Sequence, residues 1–323
     1  MEHPRIVVVG SYATGLTMSV QRLPSPGETV LGSGYRVDYG GKGSNQAVGC
    51  RRLGADVSFI ARIGKDAFGE MALKLYRDEG VDISFVSQSP ENPTGVGFIL
   101  VEAGTGNNCI ALDPGANELL AANDVSACEA AFDHAAVVLT QLETPVAVAE
   151  SALARGRACG AITILNPAPV RPLPESLLRQ IDVLTPNRTE ACVLIGQSPP
   201  SDADPESLAR KLIAMGVKTV IVTLGENGVQ LVTPQTSKRI PAIPMKAVDT
   251  TGAGDAFNAG LATALAFGEG MEAAAEFAVM AAALAVTRHG VVPSLAGSAE
   301  VAQLYRKLSR TPPNWLLSAA AEN

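Results

Sequence analysis

Asp249-Thr250-Thr251-Gly252-Ala253-Gly254-Asp255-Ala256-Phe257-Asn258 sets two carboxylates on either side of a turn that only small residues can make. An alanine-rich run, 259–266, begins where the turn ends and reads as a helix. Gly252, Ala253 and Gly254 leave backbone N–H groups uncovered at that helix start, and such groups form an anion hole suited to a phosphoryl group gaining charge in transfer. Asp255 stands at the mouth of the hole, where it could accept a proton from a hydroxyl. An isolated Gly-Asp before a helix reads as a cap. A second segment about two hundred residues upstream reverses that preference.

That segment is Gly40-Gly41-Lys42-Gly43-Ser44-Asn45-Gln46-Ala47-Val48. A Gly-Gly pair lets backbone approach a ligand closely, and Lys42 offers a point charge. Asn45 can cap the following helix or bond a sugar hydroxyl. It is not a Walker A loop, because Arg36 stands where the first Gly belongs and Gly43, not Ser or Thr, follows Lys42. No G-x-G-x-x-G follows the first strand.

The 323 residues, 47% of them hydrophobic, can bury a large core. A net charge of −7 argues against nucleic acid as a partner. The five cysteines (Cys50, Cys109, Cys128, Cys159, Cys192) include no C-x-x-C pair and read as reduced thiols of a cytoplasmic protein. No signal peptide is visible, and the longest apolar run, 277–286, is too short to span a bilayer. His3, His134 and His289 are isolated, which speaks against zinc.

Apolar runs at 6–10, 57–63, 137–141, 162–166, 183–185, 220–223 and 229–232 read as buried strands. Between them lie helical patterns at 47–53, 67–79, 146–158 and 206–215, with a Pro or Gly marking many of their ends. Alternation of this kind predicts an α/β fold with a mostly parallel sheet covered on both faces. Two stretches, 16–39 and 94–113, read instead as short strands of one small β-sheet flap, with turns at 24–27 and 102–106. The expected organisation is a core of 1–15, 40–93 and 114–311, a lid of 16–39 and 94–113, and a loose tail at 312–323. The alanine-rich 272–286 reads as a core helix, with Glu269, Glu272 and Glu276 on its solvated side.

The two glycine-rich segments together resemble the paired signatures of the PfkB carbohydrate kinase family, and its ribokinase branch most closely. Further pieces follow in the family's order, among them Ile63-Gly64-Lys65-Asp66, Gln141-Leu142-Glu143, Leu165-Asn166-Pro167, Asn187-Arg188-Thr189-Glu190 and Thr223-Leu224-Gly225. The resemblance implies a ribokinase-like three-layer sandwich with a small β-sheet lid. It also implies ATP-dependent transfer of a γ-phosphoryl group to a primary hydroxyl of a small sugar.

By position, the resemblance makes Asp255 the base and Gly252, Ala253 and Gly254 the anion hole. Gly41, Lys42, Gly43, Ser44, Asn45 and Glu143 match the sugar-contacting set. Asn187 and Glu190 match the motif that manages Mg2+ and phosphate, although Asn187 before a helix would cap it in any case. Thr223, Leu224, Gly225, Glu226, Asn227 and Gly228 match the nucleotide loop, with Val279 beside the adenine. Asp249, Thr251, Ala285, Arg288, Gly290 and Ser294 match a monovalent-cation site for K+. The lid in this branch also clasps a second subunit, which implies a homodimer. A carboxylate at a helix start is expected to have a lowered pKa.

One departure stands out. Where the ribokinase pattern has Asn or Met and then Asp for the ring hydroxyls, this chain has Ala13 and Gly15. The missing carboxylate implies that ribose is a poor substrate and that Ala13→Asn combined with Gly15→Asp would improve it. A nucleoside kinase is the first alternative, opposed by 4% aromatic content and no aromatic cluster in the lid. A non-catalytic sugar-responsive protein is the second, opposed by the intact Gly-Ala-Gly-Asp turn.

Overall fold

The computed structural model describes residues 3–105, 107–199 and 203–322. Its strands are β1 (Arg5–Val9), β2 (Ala13–Val20), β3 (Gly32–Gly40), β4 (Asp56–Gly64), β5 (Val86–Ser89), β6 (Gly95–Glu102) and β7 (Asn108–Asp113). They continue with β8 (Ala135–Thr140), β9 (Ile162–Leu165), β10 (Val183–Leu184), β11 (Thr219–Thr223), β12 (Val229–Val232) and β13 (Ser237–Ile240). The helices are α1 (Lys42–Arg52), α2 (Ala67–Glu79), α3 (Ala122–Ala127), α4 (Glu129–Phe132), α5 (Val146–Ala158), α6 (Glu175–Leu178) and α7 (Arg188–Leu194). Then come α8 (Pro205–Ala214), α9 (Ala253–Ala266), α10 (Met271–Ala285), α11 (Val291–Ser294), α12 (Ser298–Lys307) and α13 (Asn314–Glu322).

Among the described residues, nine strands form one sheet in the order β13-β12-β11-β10-β9-β8-β1-β4-β5. Pairing is parallel from β11 through β5 and antiparallel for β11–β12 and β12–β13. The central strands are apolar on both sides, since Ile6 and Val8 enter one core cluster and Val7 and Val9 another. Helices therefore cover both faces, as parallel sheets require. The second sheet runs β3-β2-β6-β7, with β2 antiparallel to β3 and parallel to β6.

Several expectations are corrected. Helix α1 starts at Lys42, five residues before its expected position, because Gly41 at φ 88 takes the N-cap and frees Asn45 for the first turn. Strand β2 begins at Ala13, so Ala13, Thr14 and Gly15 belong to the small sheet and not to the core. The expected turn at 102–106 ends on Gly106, and the expected tail ends on Asn323, both outside the described residues.

The tail itself is not loose, for 314–322 form α13. The Trp315 ring stacks on Phe267 at 4.3 Å between centroids, and its indole donates to Glu269 at 2.9 Å. Leu316 and Ala319 are buried beside it. An apolar face at i and i+4 spacing stabilises a helix that local propensity alone leaves ambiguous. Glu272 and Glu276 are not simply solvated either: Lys238 pairs with both, and Arg310 with Glu276.

Candidate active site

The α9 helix begins at Gly252, whose φ of 82 makes it the N-cap in the left-handed region. A side chain there would meet Val291 Cγ1 at 2.5 Å, so only glycine fits against α11. The Ala253 N–H is taken by the Thr250 carbonyl at 3.3 Å. No acceptor among the described residues takes the N–H of Gly252, Gly254 or Asp255. The open donors at this helix start are therefore Gly252, Gly254 and Asp255, and Ala253 drops out of the expected trio.

Asp255 is not the cap. Its side chain points inward and is 6% exposed. Asn45 Nδ2 donates to its Oδ2 at 2.8 Å, and Gln46 Nε2 donates to its Oδ1 at 2.9 Å. Gln46 is held in turn, for its Oε1 accepts from Gln141 Nε2 at 2.6 Å and its Nε2 also reaches Asn166 Oδ1 at 3.1 Å. Burial raises the pKa of Asp255 above the ordinary value, and Lys42, Gln46 and Asn45 only partly offset it. The lowered pKa expected from the helix dipole is thus corrected: desolvation outweighs the dipole.

Lys42 is half-buried among carboxylates. Burial works against its charge, but Asp255, Glu143 and Glu190 outweigh it and hold its pKa above the usual lysine value. Glu143 Oε2 accepts from the Lys42 backbone N–H at 2.8 Å and from Ser11 Oγ at 2.5 Å, which ties the turn at Gly41 to the loop that follows β8. Gly41 and Gly43 pack so tightly on Ser11, Tyr12 and Gly10 that a Cβ on either would lie within 3 Å of backbone. Ser44 is fully buried, which removes its hydroxyl from the expected sugar contacts.

Asn187 and Glu190 form a reciprocal cap on α7: Asn187 Oδ1 accepts from the Glu190 N–H, and Glu190 Oε2 from the Asn187 N–H, both at 2.8 Å. Burial raises the Glu190 pKa, with the Asn187 amide and Lys42 acting against it. Its Oε1 is left for a hydrated cation, so the residues fit the expected Mg2+ role while also serving as a cap.

A cleft of about 820 Å³ opens beside the anion-hole turn. Thr223, Gly225, Glu226, Gly228, Gly254 and Val279 line it, which unites most of the expected nucleotide set. Leu224 instead packs against the core cluster around α8, and Asn227 is exposed outside the lining. Residues 242–247, with Phe257 and Val286, also line the cleft and were not foreseen. This proline-broken apolar segment has neither helix nor strand period, so nothing in its pattern announces a wall.

At the expected cation site, Asp249 Oδ1 accepts from the Thr251 N–H at 2.9 Å and Oδ2 from the Gly290 N–H at 3.1 Å. Burial opposes its charge, yet those amides hold its pKa below the ordinary value. Ala285 closes α10, and the carbonyl of the next residue, Val286, accepts from the Val248 and Asp249 amides. Ser294 Oγ donates to the Val291 carbonyl at 2.7 Å and keeps its lone pairs. The Arg288 guanidinium turns away to Glu300, leaving only its backbone for an ion. Carbonyl, hydroxyl and carboxylate oxygens are the donors a large monovalent cation takes, so the set fits K+.

The profile of the pfkB family carbohydrate kinases matches residues 3–296. The chain belongs to that family. It is 38% identical over 290 residues to the ribokinase of Haemophilus influenzae, a match covering 90% of this chain and 94% of that one. It is 35% identical to the ribokinase of Staphylococcus aureus, over 93% and 99% of the two chains. The structure of Arabidopsis thaliana ribokinase complexed with ribose and ATP aligns with a TM-score of 0.85 at 32% identity, covering 94% of this chain and 99% of that one.

Proposed function

We propose that this carbohydrate kinase transfers the γ-phosphoryl group of ATP to a primary hydroxyl of a small neutral sugar, with Asp255 as base. One observation carries the assignment. A buried carboxylate, aimed by Asn45 and Gln46, sits on the same helix start as the uncovered amides of Gly252, Gly254 and Asp255. A sugar hydroxyl held against Asp255 gives up its proton there as its oxygen bonds to the γ-phosphorus and the bond to the β-phosphate oxygen breaks, releasing ADP. The uncovered amides and Lys42 meet the charge that develops on the transferring oxygens. Burial supports Asp255 as a base at neutral pH, because it raises the carboxylate's proton affinity. Glu190 and Asn187 would hold a hydrated Mg2+, which would supply positive charge to offset that of the phosphates. The loop held by Asp249 suits K+ and shapes the anion hole from behind.

The nucleotide occupies the cleft lined by Gly225, Gly228 and Val279. The small sheet closes over the sugar with the face that bears Ala13 and Gly15. Its other face carries Leu16, Val37 and Phe98 in register, and Phe98 is 56% exposed. Apolar surface so placed supports a homodimer through the lid. No described helix is long and apolar enough to cross a membrane. Cysteines without C-x-x-C pairing support a reducing, cytoplasmic setting.

ADP release from ATP and Mg2+ in the presence of pentoses, hexoses, sugar acids and nucleosides tests this reading. A neutral sugar should be turned over fastest. Preference for nucleosides would make the chain a nucleoside kinase, and no turnover with any acceptor would leave a non-catalytic binding protein.

A further inference from the structure

Gly15 is paired directly with Asp38 across β2 and β3. A side chain built on Gly15 would place its Cβ 3.7 Å from Asp38 Cβ and 3.6 Å from Ile99 Cδ1, in ordinary contact. Gly15 is not in the left-handed region, so the backbone does not demand glycine there. What the glycine leaves is room. Gly97, its partner on β6, widens that room, since a Cβ on it would touch only Leu112 Cδ1 at 3.7 Å.

Thr14 and Tyr39 lie on the opposite face of the sheet: Thr14 bonds the buried Tyr12 hydroxyl at 3.2 Å, and Tyr39 packs on the main core. Strand alternation therefore puts Ala13, Gly15 and Asp38 together on the face assigned to the sugar. The Asp38 side chain is 32% exposed. Its two contacts, Thr17 Oγ1 at 3.3 Å and Arg36 Nε at 3.4 Å, both fall on Oδ2. Oδ1 has no partner among the described residues. A surface pair this long contributes little, so it does not account for the carboxylate.

We propose that Asp38 is the carboxylate that selects the sugar, reaching from the neighbouring strand into the space beside Gly15 to accept hydrogen bonds from ring hydroxyls of a neutral sugar. The inference rests on the sugar-kinase reading above. The lid keeps one carboxylate for the ring hydroxyls and changes the strand that supplies it. Ile99 and Leu112 give the rest of the wall an apolar character that suits C–H surface. Gly15→Asp alone would set two carboxylates side by side and so would not improve ribose.

The test compares the wild type with Asp38→Ala, Asp38→Asn, Gly15→Asp and the double variant Gly15→Asp/Asp38→Ala. D-ribose, 2-deoxy-D-ribose, D-arabinose and D-fructose serve as acceptors, with kcat, KM and Tm measured. For the best acceptor, Asp38→Ala and Asp38→Asn raise KM about tenfold to a hundredfold while kcat stays within about threefold and Tm is unchanged. The double variant recovers most of the loss, and Gly15→Asp alone lowers kcat/KM. A KM within about twofold of wild type in Asp38→Ala, or a double variant no better than Asp38→Ala, overturns the inference while leaving the kinase reading intact. A wild-type enzyme that phosphorylates none of the sugars overturns both.

Discussion

Asn45 donates to Asp255 Oδ2 over 2.8 Å although 210 positions separate the two residues in the chain. The contact joins the first turn of α1 to the first turn of α9. It holds the proposed base against the glycine turn that precedes the proposed sugar contacts. Gln46, one residue on, grips the other oxygen, so neither oxygen of the carboxylate turns without breaking a buried hydrogen bond.

Asp255→Asn keeps size and shape. Asn45 Oδ1 has no partner in the native structure, so a flipped Asn45 amide can accept from the new side chain. The fold should survive while kcat falls by about two to four orders of magnitude. A buried acid whose pKa is raised costs stability above that pKa and loses the cost as pH falls and it protonates. The variant should therefore be at least as stable as wild type at neutral pH. Retention of more than about a tenth of wild-type kcat in a rapid-quench assay would remove Asp255 as the base.

Gln46→Leu removes a hydrogen bond that lowers the Asp255 pKa. The acid limb of the kcat/KM profile, already above the ordinary Asp value of 3.8, should move to still higher pH, with most activity regained on the alkaline plateau. A uniform loss with an unmoved limb would mean that Gln46 only packs.

Activity should be higher in potassium chloride than in tetramethylammonium chloride at equal ionic strength. The difference belongs in kcat or in the KM for ATP, since Asp249 accepts from the Thr251 and Gly290 amides and so fastens the loop behind the anion hole. Equal rates in the two salts would dismiss the cation site.

Phe98→Asp places a charge on the lid face opposite Asp38. If a second copy covers that face, sedimentation should show a dimer in the wild type and a monomer in the variant. A wild type that sediments as a monomer at micromolar concentration refutes the lid dimer.

Trp315→Ala should lower stability by about 3–5 kcal/mol, because the ring stacks on Phe267 and fills a site 7% exposed. KM values should not move, since Trp315 docks on Phe267 and Glu269 just past the C-terminal end of α9, the end opposite the anion-hole turn. Unchanged thermal unfolding would mean that α13 does not dock in solution.

The sequence by itself determined the architecture and the family. Apolar runs alternating with helix signals, and a Gly-Ala-Gly-Asp turn before an alanine-rich helix, are local patterns whose physics does not depend on distant residues. Asp255 and Lys42 stand out in those local patterns, whereas Glu143 and the loop at 223–228 were singled out only through the family resemblance. Only the tertiary structure decided the proton affinity of Asp255, because desolvation by α1 and its neighbours, and not the helix dipole, governs a carboxylate that is 6% exposed. It also decided that Ser44 is buried, that Ala253 spends its amide on Thr250, and that α13 docks through Trp315. Asp38 makes the division clearest. The glycine-rich signature begins two residues after it without assigning it a role, and it meets Gly15 only because antiparallel register carries a residue 23 positions away to the same point on the same face.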